Sequence, residues 1–211
     1  MLRLYYHPVP AHCRKALVAV YYRGDEVAFD LVDVFGELSS SDFFQALSPF
    51  GGAPVLDSPD GPIFESTSII EYLESRGPAR LIPDDPQQAR LARHFDRLAD
   101  RYLLPNLRYF GHEESGLEQR DFESLVETAW QVVAEQLRDG RPFLAGHAFS
   151  LGDLGLAIAT DDCVRIGMSP PRIVDEWLWR CFELGAMSRA LEEALPFAPA
   201  HTGTSTDDME L

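Results

Sequence analysis

Basic residues are in short supply. Eighteen Lys and Arg stand against 34 Asp and Glu in 211 residues, a net charge of −16. Such a chain repels phosphate backbones and anionic lipid headgroups at long range, which argues against nucleic acids and membranes as principal partners. Cysteine is scarce as well. Cys13, Cys163 and Cys181 are odd in number and far apart, so neither a disulfide framework nor a zinc knuckle is expected, and no metal. That usage fits a reducing, cytoplasmic setting. No apolar run approaches the ~20 residues needed to span a bilayer. Met1–Tyr6 passes straight into a strand-like run without the charged and apolar regions of a leader. Hydrophobic residues at 45% and charged residues at 25% are ordinary for a folded chain, so a sizeable core is expected without staples.

The pattern divides the chain in two. Leu2–Tyr6 is apolar and aromatic, stopped by Pro8 and Pro10, and predicts a short buried strand. Cys13, Ala16, Leu17, Val20 and Tyr21 recur at helical spacing, giving a helix over Ala11–Arg23 with Gly24 at its left-handed end. Val27, Phe29 and Leu31 alternate as a second strand, parallel to the first across the helix. A weak helix over Ser40–Leu47 follows. Ala53–Leu56 and Pro62–Phe64 form a hairpin about Ser58-Pro59-Asp60-Gly61, and Ser66 opens a helix with Ile69, Ile70 and Leu73 inward. This is the βαβ-α-ββα order of a thioredoxin-like domain, over residues 1–77. Residues 78–86 read as a proline-rich linker. Beyond them the strand signal vanishes and an all-helical domain is expected over 87–196, followed by an acidic, flexible tail over 197–211.

Two segments carry binding chemistry. Ala53-Pro54-Val55-Leu56 puts a proline at a strand start, where it cannot donate to the ladder; a cis bond there would expose the backbone of Ala53 to a peptide-like ligand, and an ordinary trans edge-strand proline is the competing reading that these residues alone favour. Ser66 sits at a helix start, where free N–H groups and the positive end of the dipole favour a carboxylate. Glu65 beside it suits an ammonium, and the two charges together describe an α-amino acid. A plain serine cap with an exposed glutamate is the competing reading.

Ser48 to Leu56, a turn, and Glu65 to Leu73 together resemble the glutathione-site stretch of the cytosolic glutathione transferases. The resemblance extends to Ser150-Leu151-Gly152-Asp153, a capping-box sequence similar to the one in that family's helical domain, and spans Leu2 to about Pro196. It implies a glutathione transferase fold. It also implies that Ala53, Pro54, Glu65 and Ser66 bind glutathione as co-substrate, that an apolar electrophile sits against the helical domain, and that the protein is a homodimer.

The start of the first helix departs from the pattern. In an ungapped comparison the serine or cysteine that activates glutathione falls on Pro10, which has no donor, and Gly52 stands where the family often has lysine. Tyr6, as a strand-end phenol, and His12, as a donor or base, are candidate substitutes. Cys13 keeps the second position of a C-x-x-C spacing. Three functions follow: a glutathione transferase, a non-catalytic relative that binds a protein partner, and a thiol transferase or dehalogenase built on Cys13. Tyr102, Tyr109, Phe110 and Trp130 are candidates for an apolar pocket or for core, and Asp161-Asp162 interrupt an apolar helix, facing a cleft or solvent.

Overall fold

A computed structural model describes residues 1–32, 42–78, 80–109 and 119–197. The sequence alternation in the first half produces four strands: β1 (Leu2–Tyr6), β2 (Val27–Leu31), β3 (Val55–Ser58) and β4 (Gly61–Phe64). They form one sheet in the order β2-β1-β3-β4, with β1 parallel to β2 and the other pairs antiparallel. The parallel pair requires a crossover, supplied by α1 (Ala11–Arg23). Gly24 closes that helix at φ 70°, its N–H bonded to the carbonyl of Val20. α2 (Asp42–Leu47) covers one sheet face with Phe44 against Val32 and Val55. α3 (Ser66–Ser75) joins α1 on the other. The expected Ser40–Leu47 helix thus begins at Asp42 within the described residues; positions 40 and 41 lie outside them.

The second half is helical: α4 (Pro86–Leu98), a π-helical segment (Ala99–Leu103), α5 (Leu104–Tyr109), α6 (Gln119–Leu137), α7 (Leu151–Arg165), α8 (Arg172–Phe182) and α9 (Gly185–Ala194). An i→i+5 segment loosens the helix ahead of Pro105, which falls in the first turn of α5 and has no N–H to donate to the preceding turn.

A single apolar cluster runs from Leu4, Leu17 and Ile69 through Phe95 and Leu103 to Leu156 and Trp177. Leu81 and Ile82 of the connection take part in it. Leu81 is fully buried, its carbonyl accepts from Leu151 N–H, and Glu74 accepts from the N–H groups of Arg80, Leu81 and Ile82. Glu74 is in turn gripped by Arg23. The connection is therefore pinned, because its apolar side chains complete the core between the halves. α7 lies close against α4. A Cβ on Gly152 would stand 2.8 Å from both the Ala92 carbonyl oxygen and the Phe95 Cβ. Among the described residues no helix is long and apolar enough to cross a membrane.

Candidate functional site

Val55 pairs with Tyr5 of β1 and with Phe64 of β4. Pro54 and Glu65 therefore leave the sheet at the end where β1 runs into α1. The Ala53–Pro54 peptide is cis and Pro54 is buried. Glu65 adopts φ 73°, ψ 121°, the only non-glycine positive φ among the described residues. A glutamate gains nothing locally from that conformation, and such outliers concentrate where a ligand is held. Ser66 follows as the first residue of α3. It is 2% exposed. The first intrahelical bond there runs from Ile69 N–H to the Glu65 carbonyl, so the N–H groups before it remain available.

α1 opens beside this point. Its N-cap is Pro10, which has no side chain to offer, and the first intrahelical bond is Arg14 N–H to Pro10 O at 3.0 Å. The N–H groups of Ala11, His12 and Cys13 thus lie at the positive end of a 13-residue helix without helical acceptors. His12 is half-exposed, with Nδ1 3.7 Å from Asp100. Burial lowers its pKa and the nearby Lys15 charge adds to this, against the opposing pull of Asp100, Glu65 and Asp96, so the ring is neutral at neutral pH. Lys15 of α1 donates to Thr67 Oγ1 of α3 at 3.3 Å, which sets the first turns of the two helices side by side. Ala53, Pro54, Glu65, Ser66 and His12 accordingly gather at one end of the sheet.

Two of the expected site residues do not join them. Cys13 is fully buried on the core face of α1, and burial pushes its thiol up to about 12. The helix start favours a thiolate only where the sulfur is wet or paired, so the position of Cys13 in the core argues against thiol chemistry on it. Tyr6 shares the face of Leu4, as the two-residue period of a strand requires. Its ring packs edge-on to Phe29 at 5.7 Å, and its charged neighbours are Glu193 and Arg189 of α9. Burial raises its pKa, and the phenol belongs to an aromatic layer under α9, with Tyr21, rather than to the notch at Glu65 and Ser66.

Other functional side chains were missed. Lys15 is the one lysine of the chain and is fully buried. Its ammonium lies 2.7 Å from Asp100 and 2.7 Å from Asp96 and donates to Thr67 Oγ1 at 3.3 Å. The Thr67 hydroxyl donates to Asp96 at 2.7 Å. The Asp96 Oδ1 contact with Lys15 is an ion pair outside hydrogen-bond alignment, which leaves that oxygen otherwise unpartnered; burial keeps the Asp96 carboxyl above its ordinary range. This knot ties the residue after Ser66 to α4 and the π-helical segment. The i,i+4 spacing of Asp96 and Asp100 is its one signal in the sequence. Asp161 and Asp162 face neither a cleft nor open solvent: Asp162 accepts from Arg14 at 2.5 and 2.7 Å, and Asp161 from Arg165 at 2.7 Å.

Of the candidate pocket aromatics, Trp130 is core, with its indole N–H 3.3 Å from Thr160 Oγ1, and Tyr102 is exposed. Phe110 and the side chain of Tyr109 lie outside the described residues. Among the described residues no three His, Cys, Asp or Glu side chains are grouped to hold a metal ion.

Residues 4–81 match the family described as glutathione S-transferase, N-terminal domain. The chain is 30% identical over 172 residues to glutathione S-transferase F10 of Arabidopsis thaliana, covering 73% of this chain and 77% of that protein. It is 29% identical over 155 residues to glutathione S-transferase F14 of the same plant, of which it spans 60%. A shorter match, 43% over 61 residues, covers 28% of this chain and 14% of elongation factor 1-gamma 2 of Oryza sativa. In fold it is similar to a diazinon-metabolizing glutathione S-transferase of the silkworm Bombyx mori, with TM-score 0.81, 16% identity, and coverage of 93% and 98% of the two chains. Together with the sheet order and the paired helix starts, these matches show that the chain belongs to the glutathione S-transferase family.

Proposed function

We propose that this protein is a glutathione transferase that adds the glutathione thiolate to an apolar electrophile. The observation that carries the reading is Glu65 at φ 73° beside the buried Ser66 at the start of α3, where the first N–H groups have no intrahelical acceptor. An ammonium and a carboxylate on one carbon fit that pair, so the γ-glutamyl end of glutathione is assigned to Glu65 and Ser66. The cysteinyl backbone then lies along Ala53 and Pro54, which brings the sulfur toward the first turn of α1. Backbone N–H groups of Ala11 to Cys13 stabilise the thiolate there, in place of the hydroxyl that Pro10 lacks. Neutral His12 is the nearby group able to take the thiol proton. The sulfur forms a bond to the electrophilic carbon, and the leaving group departs with the bonding pair. Three buried, free cysteines support a reducing, cytoplasmic setting, and a homodimer is expected from the family.

Calorimetry with glutathione on the wild type and on Ser66→Ala tests the assignment. A hydrogen bond to a charged carboxylate is worth ~1.5–3 kcal/mol, so the variant should bind about 10- to 100-fold more weakly. No wild-type binding at millimolar glutathione would overturn the reading. Pro10, Gly52 and the partial match to elongation factor 1-gamma favour a second one, a non-catalytic protein that binds a protein partner. Glutathione binding without turnover of any standard electrophile is its expected signature.

A further inference from the structure

The segment before α1 lacks two of its donors, because Pro8 and Pro10 have no N–H. Its remaining polar groups are wired individually. Val9 N–H donates to His7 Nδ1 at 3.2 Å, and the Val9 carbonyl accepts from Arg14 Nε at 3.1 Å. Arg14 is 7% exposed. Its Nη2 donates to both carboxylate oxygens of Asp162 of α7, at 2.7 and 2.5 Å, with Asp161 3.9 Å from Nη1 and Arg165 paired to Asp161. One planar fork therefore spans the entry segment of the first half and a helix of the second. Only arginine can do this, since a lysine ammonium on a flexible stem cannot face the Val9 carbonyl and the Asp162 carboxylate in the fixed geometry of a fork.

We propose that Arg14 and Asp162 are positioning residues for the thiol site: Asp162 aims the Arg14 guanidinium, and Arg14 fixes the Val9 carbonyl and so the segment that delivers the first turn of α1. The inference rests on the transferase reading for its catalytic consequence, and its geometric part stands without ligand. Asp161-Asp162, an interruption of an apolar helix, acquires a role from it. The pair also carries a coupling: any shift of α7 relative to the sheet is passed to the segment framing the N–H groups of Ala11 to Cys13.

The test uses the full chain and two variants, Arg14→Lys and Asp162→Asn, with thermal unfolding to establish that each is folded. Amide hydrogen exchange, normalised to α3 and α8, reads the segment directly and needs no ligand. Loss of a charge-assisted bond predicts exchange at Val9, His12 and Cys13 about tenfold faster in both variants. An ion pair that merely added stability would move all amides together. With glutathione and an electrophile, the thiol pKa read from ultraviolet thiolate absorbance should rise and kcat fall, with the KM for the electrophile unchanged. Wild-type exchange at these amides in a folded variant overturns the proposal; if Arg14→Lys does not fold, Asp162→Asn decides it. A wild type that fails to bind glutathione overturns the transferase reading instead, while the exchange data still decide the positioning role.

Discussion

Replacing Asp153 by alanine should come close to unfolding the protein. Asp153 is fully buried at the third position of α7, and its two oxygens accept four hydrogen bonds. Leu144 N–H and the Trp177 indole N–H reach Oδ1 at 2.8 and 2.9 Å, and Ser150 N–H and Oγ reach Oδ2 at 3.0 and 2.6 Å. One side chain thus caps α7 and joins it to the 144 loop and to α8. Alanine leaves three N–H donors unsatisfied, while the serine hydroxyl can rotate. At ~1–3 kcal/mol for each buried orphan the loss is large. Removing the carboxylate also removes its desolvation, the main cause raising its pKa, which offsets part of it. A net destabilisation of ~4 kcal/mol follows, against a total of ~5–15 for a typical domain. At ~2–4 °C per kcal/mol for a chain of this size, the melting midpoint should fall by ~8–16 °C. Asp153→Asn keeps one accepting oxygen and should lie between, and Ser150→Ala should cost ~1 kcal/mol. Urea and thermal unfolding followed by circular dichroism measure all three. An Asp153→Ala midpoint within ~3 °C of wild type would refute the argument that these four bonds hold the helical half together.

Gly152→Ala forces a Cβ to 2.8 Å from the Ala92 carbonyl and Phe95, and should cost ~1–3 kcal/mol in the same unfolding assay by prying α7 from α4. A thiol-selective reagent at neutral pH should label none of the three cysteines in the folded protein, since all are buried and burial raises each thiol, Cys13 and Cys163 to about 12; rapid labelling of Cys13 would contradict its place in the core. The folded state holds His12 below its ordinary 6.5, so the unfolded chain binds the proton more readily. Stability from this group is full above the unfolded value and is lost as pH falls through the folded one. Relative to His12→Gln, the wild type should therefore lose stability on acidification below about pH 6.5; parallel stability curves for the two proteins would show that the ring is not held neutral.

Much of the site could be read along the chain because its chemistry is local. A proline at a strand start, a glutamate-serine pair at a helix start and the capping box of α7 are short-range signals, and residues that act through backbone geometry keep their sequence spacing in space. The α1 boundaries, Ala11 and Arg23, follow from apolar periodicity and from Gly24. Cys13 and Tyr6 lie near the site along the chain, whereas the helix and strand periods decide which face they occupy.

The sequence by itself determined the secondary structure order, the thioredoxin-like and helical halves, and the candidate positions Ala53, Pro54, Glu65 and Ser66. Only the tertiary structure decided which charges are buried and with whom. Lys15 meets Asp96, Asp100 and Thr67, and Arg14 meets Val9 and Asp162, across separations of up to 148 residues. A charged side chain is read as solvated until its partner is known, because desolvation makes an isolated buried charge prohibitive and a paired one tolerable. That pairing is a property of how the halves pack, and no spacing along the chain records it.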